Sequence, residues 1–445
     1  MKRLLKESQW KTSTGFILAS AGSAIGLGAM WKFPYMAGMY GGGAFLLMFL
    51  LFTILVGLPL LIMEFIVGKV GRTYTTEIYS KLTGKKWLNL IGWNGNIAVF
   101  VLFGFYSVIG GWIVIYIGIV LMQLLRVLPS GLQDIQFEAI ISNPVYTIMG
   151  QFIFIGLTCV IVMLGVQKGL EKASKIMMPL LFIFLLIIVA KALTLDGAMD
   201  GVRYLLQPRI SDITMESMLF ALGQSFFALS LGTTGMITYA SYAPKEMTIK
   251  SSAISIVVMN IFISILAGLA IFPALKAFGY EPTEGPGLLF KVLPLVFDKM
   301  HYGTLFYVVF LILFLFAALT SSISLLELNV SNLTRNDNTK RSRVALLTSI
   351  AVLIISIPAM LSFGSLSHVQ FGAGTIFDNM DFLVSNLLMP LGALATTLVV
   401  GQFLDKDLLI QGFGKDRFKF FYPWYALVKY VLPFVILAVF ILQLL

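Results

Sequence analysis

The sequence predicts an all-α polytopic membrane protein with eleven transmembrane helices. Of its 445 residues, 58% are hydrophobic and only 12% are charged, whereas soluble domains carry roughly 25% charged residues. The apolar residues form runs that each reach the roughly 17–25 residues that a helix needs to cross a bilayer. Two runs are interrupted by clustered glycine and hydroxyl residues, which predicts helices that are broken inside the membrane.

The eleven runs follow a polar, basic N-terminal segment, 1–11, and the first run is too long and too rich in glycine for the apolar core of a cleavable signal peptide. The third and eighth runs are long enough to tilt or protrude from the bilayer. The predicted spans, numbered 1 to 11, cover residues 12–37, 42–68, 88–125, 147–165, 170–193, 216–241, 250–276, 303–334, 344–361, 372–403 and 424–445.

Basic residues predict the orientation of these spans. With a cytoplasmic N-terminus, the inside loops hold 22 Lys and Arg residues and the outside loops hold six. This bias predicts a cytoplasmic N-terminus and, after eleven crossings, a C-terminus outside. The net charge of +10 is spread over many short loops, so we expect the lipid bilayer rather than nucleic acid as the partner.

Span 1 contains the densest group of glycines. Gly22, Ser23, Gly26 and Gly28 lie within seven positions near its middle. Glycine costs roughly 1 kcal/mol relative to alanine in a helix interior, so the backbone is predicted to leave the helix here. Open backbone is tolerated in a membrane where it lines a cavity, and there carbonyls bind cations and amides bind anions. The alternative is that the glycines only allow close helix packing.

Span 6 is interrupted in the same way, by the sequence FFALSLGTTG at 226–235. Spans 1 and 6 occupy corresponding positions if spans 1–5 and 6–10 form two halves. A matched pair of broken helices predicts a substrate site near the middle of the membrane.

Span 8 carries a hydroxyl cluster, Thr320, Ser321 and Ser322, deep in an apolar helix. Neutral oxygens of this kind suit a hard monovalent cation. The equally weighted alternative is that these hydroxyls bond back to carbonyls of their own helix.

Four charged residues inside the spans are functional candidates by default. Lys32 and Asp381 lie near the outer ends of spans 1 and 10, where they could face a watery vestibule and meet. Glu64 and Glu327 lie deeper, where each could hold loose backbone amides or bind an ion. The single cysteine and the two histidines predict neither a disulfide nor a metal cluster.

Several motifs together resemble the neurotransmitter:sodium symporter family, and within it the bacterial transporters of hydrophobic amino acids. The resemblance runs in order from Trp10 to the end of the sequence. It rests on GSAIGLG at 22–28, WKFP at 31–34, GGGAF at 41–45, FALSLG at 227–232, TYASY at 238–242 and LTSS at 319–322.

The resemblance implies two inverted repeats of five helices, 12–193 and 194–403, with discontinuous helices 1 and 6. A cytoplasmic loop and an eleventh helix would follow in 404–445. It also implies a multi-pass carrier in a bacterial inner membrane that takes up hydrophobic L-amino acids with sodium by alternating access. The alternative is sodium-dependent transport of another small amine or amino-acid-like solute.

Carried over residue by residue, the resemblance implies a substrate site, two sodium sites and two gates. The substrate residues would be Ala24, Leu27, Gly28, Leu102, Tyr106, Phe227, Ala228, Ser230, Thr233 and Leu325. One sodium ion would bind Gly22, Ile25, Ala317, Thr320 and Ser321, and a second would bind Ala24, Ala228 and Asn260. The outer gate would contain Lys32, Asp381, Tyr106 and Phe227, and the inner gate Trp10 and Tyr242.

The chain departs from the family pattern at informative positions. Ala29 and Ala228 replace residues whose side-chain oxygens often bind the second sodium ion, so one or two ions are expected. Phe49 and Ala228 also remove hydroxyls that would help to bind chloride, although Ser264 would favour it, so chloride is doubtful. In the inner gate, Glu7 and Arg335 are predicted to be a charge-exchanged pair, the alternative being a solvated loop.

Two other classes of membrane protein are less compatible with the sequence. A channel needs a continuous polar pore, whereas the polar clusters here converge at one depth beneath Phe227. A membrane enzyme needs a catalytic set, and the spans contain no serine–histidine pairing or metal-ligand spacing.

Overall fold

The computed structural model describes residues 9–127, 132, 136–244, 247–280, 288–335, 337–413 and 420–442. Within these ranges, nine helical runs are long and apolar enough to cross a membrane. A bent pair, Ser13–Ile25 and Gly28–Met39, supplies span 1, and the pair Met215–Ala228 and Gly235–Ser241 supplies span 6. The eleven predicted spans are therefore all helical.

The observed bounds differ from the predicted ones by only a few residues. Spans 2, 3, 4 and 5 are Gly43–Gly71, Lys86–Leu124, Pro144–Met163 and Val166–Leu193. Spans 7 to 11 are Ile249–Ala277, Gly303–Thr334, Arg341–Leu361, Ile376–Gln402 and Phe421–Leu442.

Short helices occupy loops for which the sequence pattern predicted only connections. Thr75–Thr83 and Lys406–Phe413 lie in loops predicted to be cytoplasmic, and Ala198–Leu206 and Leu293–Asp298 lie in loops predicted to be outside. These segments are six to nine residues long, too short to form a stable helix alone, so packing against the bundle stabilises them.

Burial separates the central helices from the peripheral ones. The apolar segments of spans 3 and 8 are 78% buried, whereas that of span 11 is 33% buried. Spans 3 and 8 pack along each other, and span 8 also packs against the first half of span 1. The broken spans thus lie against the most buried helices.

Candidate functional site

The break in span 1 lies where the glycines predict it. The helix Ser13–Ile25 ends at Gly26, and the second half begins at Gly28 after a 44° bend. A Cβ atom on Gly26 would lie only 1.8 Å from Ser321 Oγ, so glycine is required where spans 1 and 8 touch. Ser321 Oγ donates to the carbonyls of Gly22 and Ser23 at 3.2 and 3.0 Å.

The break in span 6 uses left-handed backbone. Ser230, Gly232 and Thr234 have φ values of 53°, 77° and 59°, and left-handed conformations are unfavourable for residues other than glycine. Glu64 Oε1 accepts a hydrogen bond from Gly232 N at 2.7 Å. Glu64 therefore holds a loose amide of the linking segment, which is the structural role that the sequence allowed for it.

A cavity lies between the two breaks. Nine of the ten predicted substrate residues line it, and the tenth, Ala228, is fully buried. Sequence reasoning missed Met389 of span 10 as a lining residue, because nothing distinguishes this methionine from its apolar neighbours. The lining residues are Ser23, Ala24, Gly26, Leu27, Gly28, Leu102, Tyr106, Phe227, Ser230, Thr233, Ser321, Leu325 and Met389.

Few polar groups enter this mainly apolar cavity. The Leu27 amide donates to the hydroxyl of Tyr106 at 3.3 Å, and that hydroxyl donates to the Ala318 carbonyl at 3.3 Å. Ser230 Oγ donates to the Ser23 carbonyl at 3.1 Å. An amide and a hydroxyl at the start of a half-helix suit an anionic group, and the carbonyls nearby suit a cationic one.

Neutral oxygens meet at the first predicted sodium position. Ser321 Oγ donates to the Gly22 carbonyl of span 1, whereas Thr320 Oγ1 donates to the Ala317 carbonyl of its own helix at 3.0 Å, which is the alternative that the sequence left open. Ile25, the fifth residue of this set, is fully buried at the end of the first half-helix. This donor set, contributed by spans 1 and 8, has the chemistry of a hard-cation site.

Asn260 joins the two broken spans at the second predicted position. Its Nδ2 donates to the carbonyls of Ala24 and Ala228 at 3.2 and 2.7 Å. Its Oδ1 is buried and has no hydrogen-bond partner among the described residues. Rotation of the amide by half a turn would place this oxygen beside both carbonyls and complete a three-oxygen set.

Three of the four predicted outer-gate residues line a second cavity, and the fourth, Tyr106, lines the substrate cavity. The second cavity, the outer vestibule, is lined by Lys32, Asp381 and Phe227 among others. Lys32 Nζ lies 3.6 Å from Asp381 Oδ2 and 4.4 Å from the centre of the Phe227 ring. The predicted meeting of Lys32 and Asp381 therefore occurs.

The predicted inner-gate residues also meet. Trp10 N donates to the Tyr242 carbonyl at 3.1 Å, and Trp10 Nε1 donates to the Tyr239 carbonyl at 2.9 Å. Tyr242 OH donates to Glu327, which is paired with Arg341. The pair Glu327–Arg341 was missed by sequence reasoning. Arg335 is exposed and Glu7 lies outside the described residues, so their pairing stays a prediction.

Comparison with known proteins shows to which family the chain belongs. The model of the "Sodium:neurotransmitter symporter family" matches residues 7–128 and 141–445. The chain belongs to this family.

Similar proteins cover nearly the whole chain. An uncharacterised sodium-dependent transporter of Bacillus subtilis is 48% identical over 98% of this chain and 97% of its own. One of Haemophilus influenzae is 34% identical over 97% of both chains. The crystal structure of MhsT in complex with L-phenylalanine matches 98% of this chain and 99% of its own, with a TM-score of 0.89 and 36% identity.

Membership of the symporter family confirms several predictions from the sequence. The protein is a multi-pass, sodium-dependent membrane transporter with eleven helices, inverted five-helix repeats and discontinuous helices 1 and 6. Within the described parts of the chain, no group of three His, Cys, Asp or Glu side chains could hold a metal ion.

The structure describes three residues that bear on the doubtful chloride site. Phe49 of span 2 is fully buried. Gln224 Nε2 donates to the Gly28 carbonyl at 2.7 Å, and Ser264 Oγ donates to the Asn260 carbonyl at 2.9 Å. Both of these donors are engaged by carbonyls.

Proposed function

We propose that this symporter takes up hydrophobic L-amino acids, both aromatic and branched aliphatic, by coupling their transport to a sodium gradient. The observation that carries the proposal is the cavity between spans 1, 3, 6, 8 and 10, which has polar groups at one end and apolar side chains elsewhere. The proposal places the protein in a bacterial inner membrane with the N-terminus in the cytoplasm and the C-terminus outside.

The polar groups favour an amino acid over a simple amine. The amides of Leu27 and Gly28 and the Tyr106 hydroxyl would bind the carboxylate, because they lie at the start of the second half of span 1. Carbonyls of Ala24, Phe227 and Ala228 and the Ser230 hydroxyl would bind the ammonium group. An amine without a carboxylate would offer these donors no charged acceptor, and hydrogen bonds to charged groups are stronger than those to neutral ones.

The apolar end of the cavity favours large side chains. Leu102, Thr233 and Leu325 line it, and Thr233 Oγ1 is already bonded to the Ser230 carbonyl at 2.8 Å. The short Thr233 side chain leaves room where a bulkier residue would narrow the pocket. Tryptophan, tyrosine and phenylalanine should therefore bind along with leucine-like substrates.

Sodium would bind at both predicted positions. Chloride would bind neither in the substrate cavity nor near Ser264. The first ion would bind the oxygens of Gly22, Ile25, Ala317, Thr320 and Ser321. The second would bind Ala24, Ala228, the rotated Asn260 amide and the substrate carboxylate. Because that carboxylate supplies the only full negative charge, sodium and substrate should each raise the affinity of the other by the same factor.

Binding of labelled L-phenylalanine to purified protein, in sodium and in choline, tests this proposal. We expect sodium-dependent binding that tryptophan, tyrosine and leucine displace and that aspartate and lysine do not. Thr233→Phe should weaken tryptophan binding on the order of tenfold or more relative to leucine, and Thr233→Ser should not. Equal tryptophan binding in Thr233→Phe and wild type would refute the size argument. Absence of sodium-dependent binding of every hydrophobic amino acid would refute the substrate class.

A further inference from the structure

The substrate cavity and the outer vestibule share two lining residues, Phe227 and Met389. Phe227 comes from the first half of span 6 and was expected at the outer gate. Met389 comes from span 10 and is only 2% exposed. Two buried or half-buried residues from two different helices therefore border both cavities.

A change in helical winding sets the position of Met389. Span 10 runs as an α-helix over Ile376–Phe382, as a π-helix over Leu383–Leu388, and as an α-helix again from Met389. A π-helical turn shifts the facing of every residue that follows it, and Pro390 removes one backbone donor. The Leu388 carbonyl accepts a hydrogen bond from Asn94 Nδ2 of span 3 at 2.9 Å, which holds this turn against the bundle.

The backbone at Met389 also touches the linking segment of span 6. A Cβ atom on Gly232 would lie 2.1 Å from the Met389 carbonyl oxygen, and one on Gly392 would lie 2.2 Å from the Gly232 carbonyl oxygen. Because the two backbones are in contact, a movement of span 10 must displace the linking segment or separate from it. Met389 moves with span 10, which also carries Asp381 of the outer ion pair.

We propose that Met389 is the second side chain of the outer gate, closing the substrate cavity from span 10 while Phe227 closes it from span 6. A thioether side chain is apolar, unbranched and adaptable, so it can cover substrates of different sizes. The proposal rests on the proposed function only for the identity of the ligand, because the arrangement of the two cavities is a property of the protein.

The first test measures dissociation of labelled L-phenylalanine from purified protein in sodium. Removing the buried methionine side chain in Met389→Ala should speed dissociation on the order of tenfold. Met389→Val should give an intermediate rate, and Met389→Leu, which keeps the volume, should restore slow release. Met36→Ala is the matched control, because Met36 lines the vestibule but not the substrate cavity.

The second test does not depend on substrate identity. Leu102→Cys, in a Cys159→Ala background, places a thiol in the substrate cavity, and an impermeant thiol reagent is added from outside in sodium without substrate. Met389→Ala and Met389→Val should raise the labelling rate several-fold, and Met36→Ala should not. Unchanged labelling in the two Met389 variants, or an equal rise in Met36→Ala, would overturn the gate. Raised labelling without phenylalanine binding would support the gate and contradict only the substrate class.

Discussion

Below the substrate cavity, Glu327 and Arg341 form an ion pair whose side chains are 0% and 10% exposed, whereas above it Lys32 and Asp381 are 12% and 35% exposed. The inner pair is further bonded, since Arg341 Nε donates to the Val162 carbonyl at 2.9 Å and Tyr242 OH donates to Glu327 at 3.2 Å. The outer pair is 3.6 Å apart and lines the outer vestibule.

This difference in burial predicts a difference in sensitivity to the loss of one charge. Leaving one partner of a buried ion pair alone costs about 3–5 kcal/mol, whereas partly exposed pairs contribute about 0–1 kcal/mol. A lone charge of the outer pair can be hydrated from the vestibule. We therefore expect removal of one charge to open the inner closure much more than the outer closure.

The largest expected effect comes from breaking the inner pair. Arg341→Met leaves Glu327 buried and uncompensated, so the closed inner state should lose about 3–5 kcal/mol. Thermal unfolding should shift to lower temperature, and a cysteine placed in the substrate cavity should become accessible from the cytoplasmic side.

Two further variants isolate the ion pair. Adding Glu327→Gln to Arg341→Met should recover most of the loss, because the second charge is removed as well. Arg343→Met serves as the control, since Arg343 is exposed on the same helix. Equal effects of Arg341→Met and Arg343→Met would show that the buried Glu327–Arg341 pair does not stabilise the inner closure.

Substitution of Trp10 should open the inner closure less. Trp10 precedes the first helix and donates hydrogen bonds to the second half of span 6 and to the residue that follows it. Trp10→Phe removes the indole N–H, while the Tyr239 carbonyl keeps its bond from Tyr242 N at 3.2 Å, so the expected cost is about 0.5–1.5 kcal/mol. Cytoplasmic accessibility of the cavity should rise, but less than in Arg341→Met. Trp93→Phe, at a site that is 45% exposed, should have no such effect; a rise there would show a general loss of packing instead.

The sodium position between the two closures offers a third prediction. Ala228→Thr adds a hydroxyl oxygen near the Ala24 and Ala228 carbonyls, and a polar ligand of this kind is worth on the order of 1 kcal/mol. The sodium midpoint for substrate binding should therefore fall several-fold, since 1.4 kcal/mol is about tenfold. Ala228→Val has the same shape without the oxygen. Identical sodium titrations of the Thr and Val variants would leave the second sodium ion without support.

The smallest effect is expected at the outer pair. Asp381→Asn removes the charge but keeps an acceptor for Ser385 Oγ, which lies 2.7 Å from Asp381 Oδ1. The outer closure should weaken by about 0–1 kcal/mol, seen as at most a modest rise in cavity labelling from outside. A rise as large as the inner effect of Arg341→Met would remove the asymmetry between the two closures.

Much of this architecture could be predicted from the sequence because it depends on local composition. Apolar length placed the spans to within a few residues, and glycine density placed the break at Gly26. Nine of the ten substrate residues that were proposed from the family motifs line one cavity.

The remaining features depend on tertiary contacts that have no local signal. Arg341 precedes the predicted start of span 9 at residue 344. In the structure it is the first residue of that helix and forms an ion pair with Glu327. Met389 reaches the cavity only because a π-helical turn precedes it. Neither the winding of span 10 nor the choice of partner for Glu327 can be obtained from hydrophobic periodicity.

Uptake of labelled L-phenylalanine into liposomes that contain the purified protein tests sodium-coupled transport itself. With sodium outside and none inside, we expect transient accumulation above the external concentration. This accumulation should collapse when an ionophore dissipates the sodium gradient. Thr320→Val, which removes a proposed sodium ligand, should abolish the accumulation, whereas Met36→Ala should retain it. If phenylalanine only reached equal concentrations inside and outside, at the same rate with and without a sodium gradient, sodium coupling would be refuted.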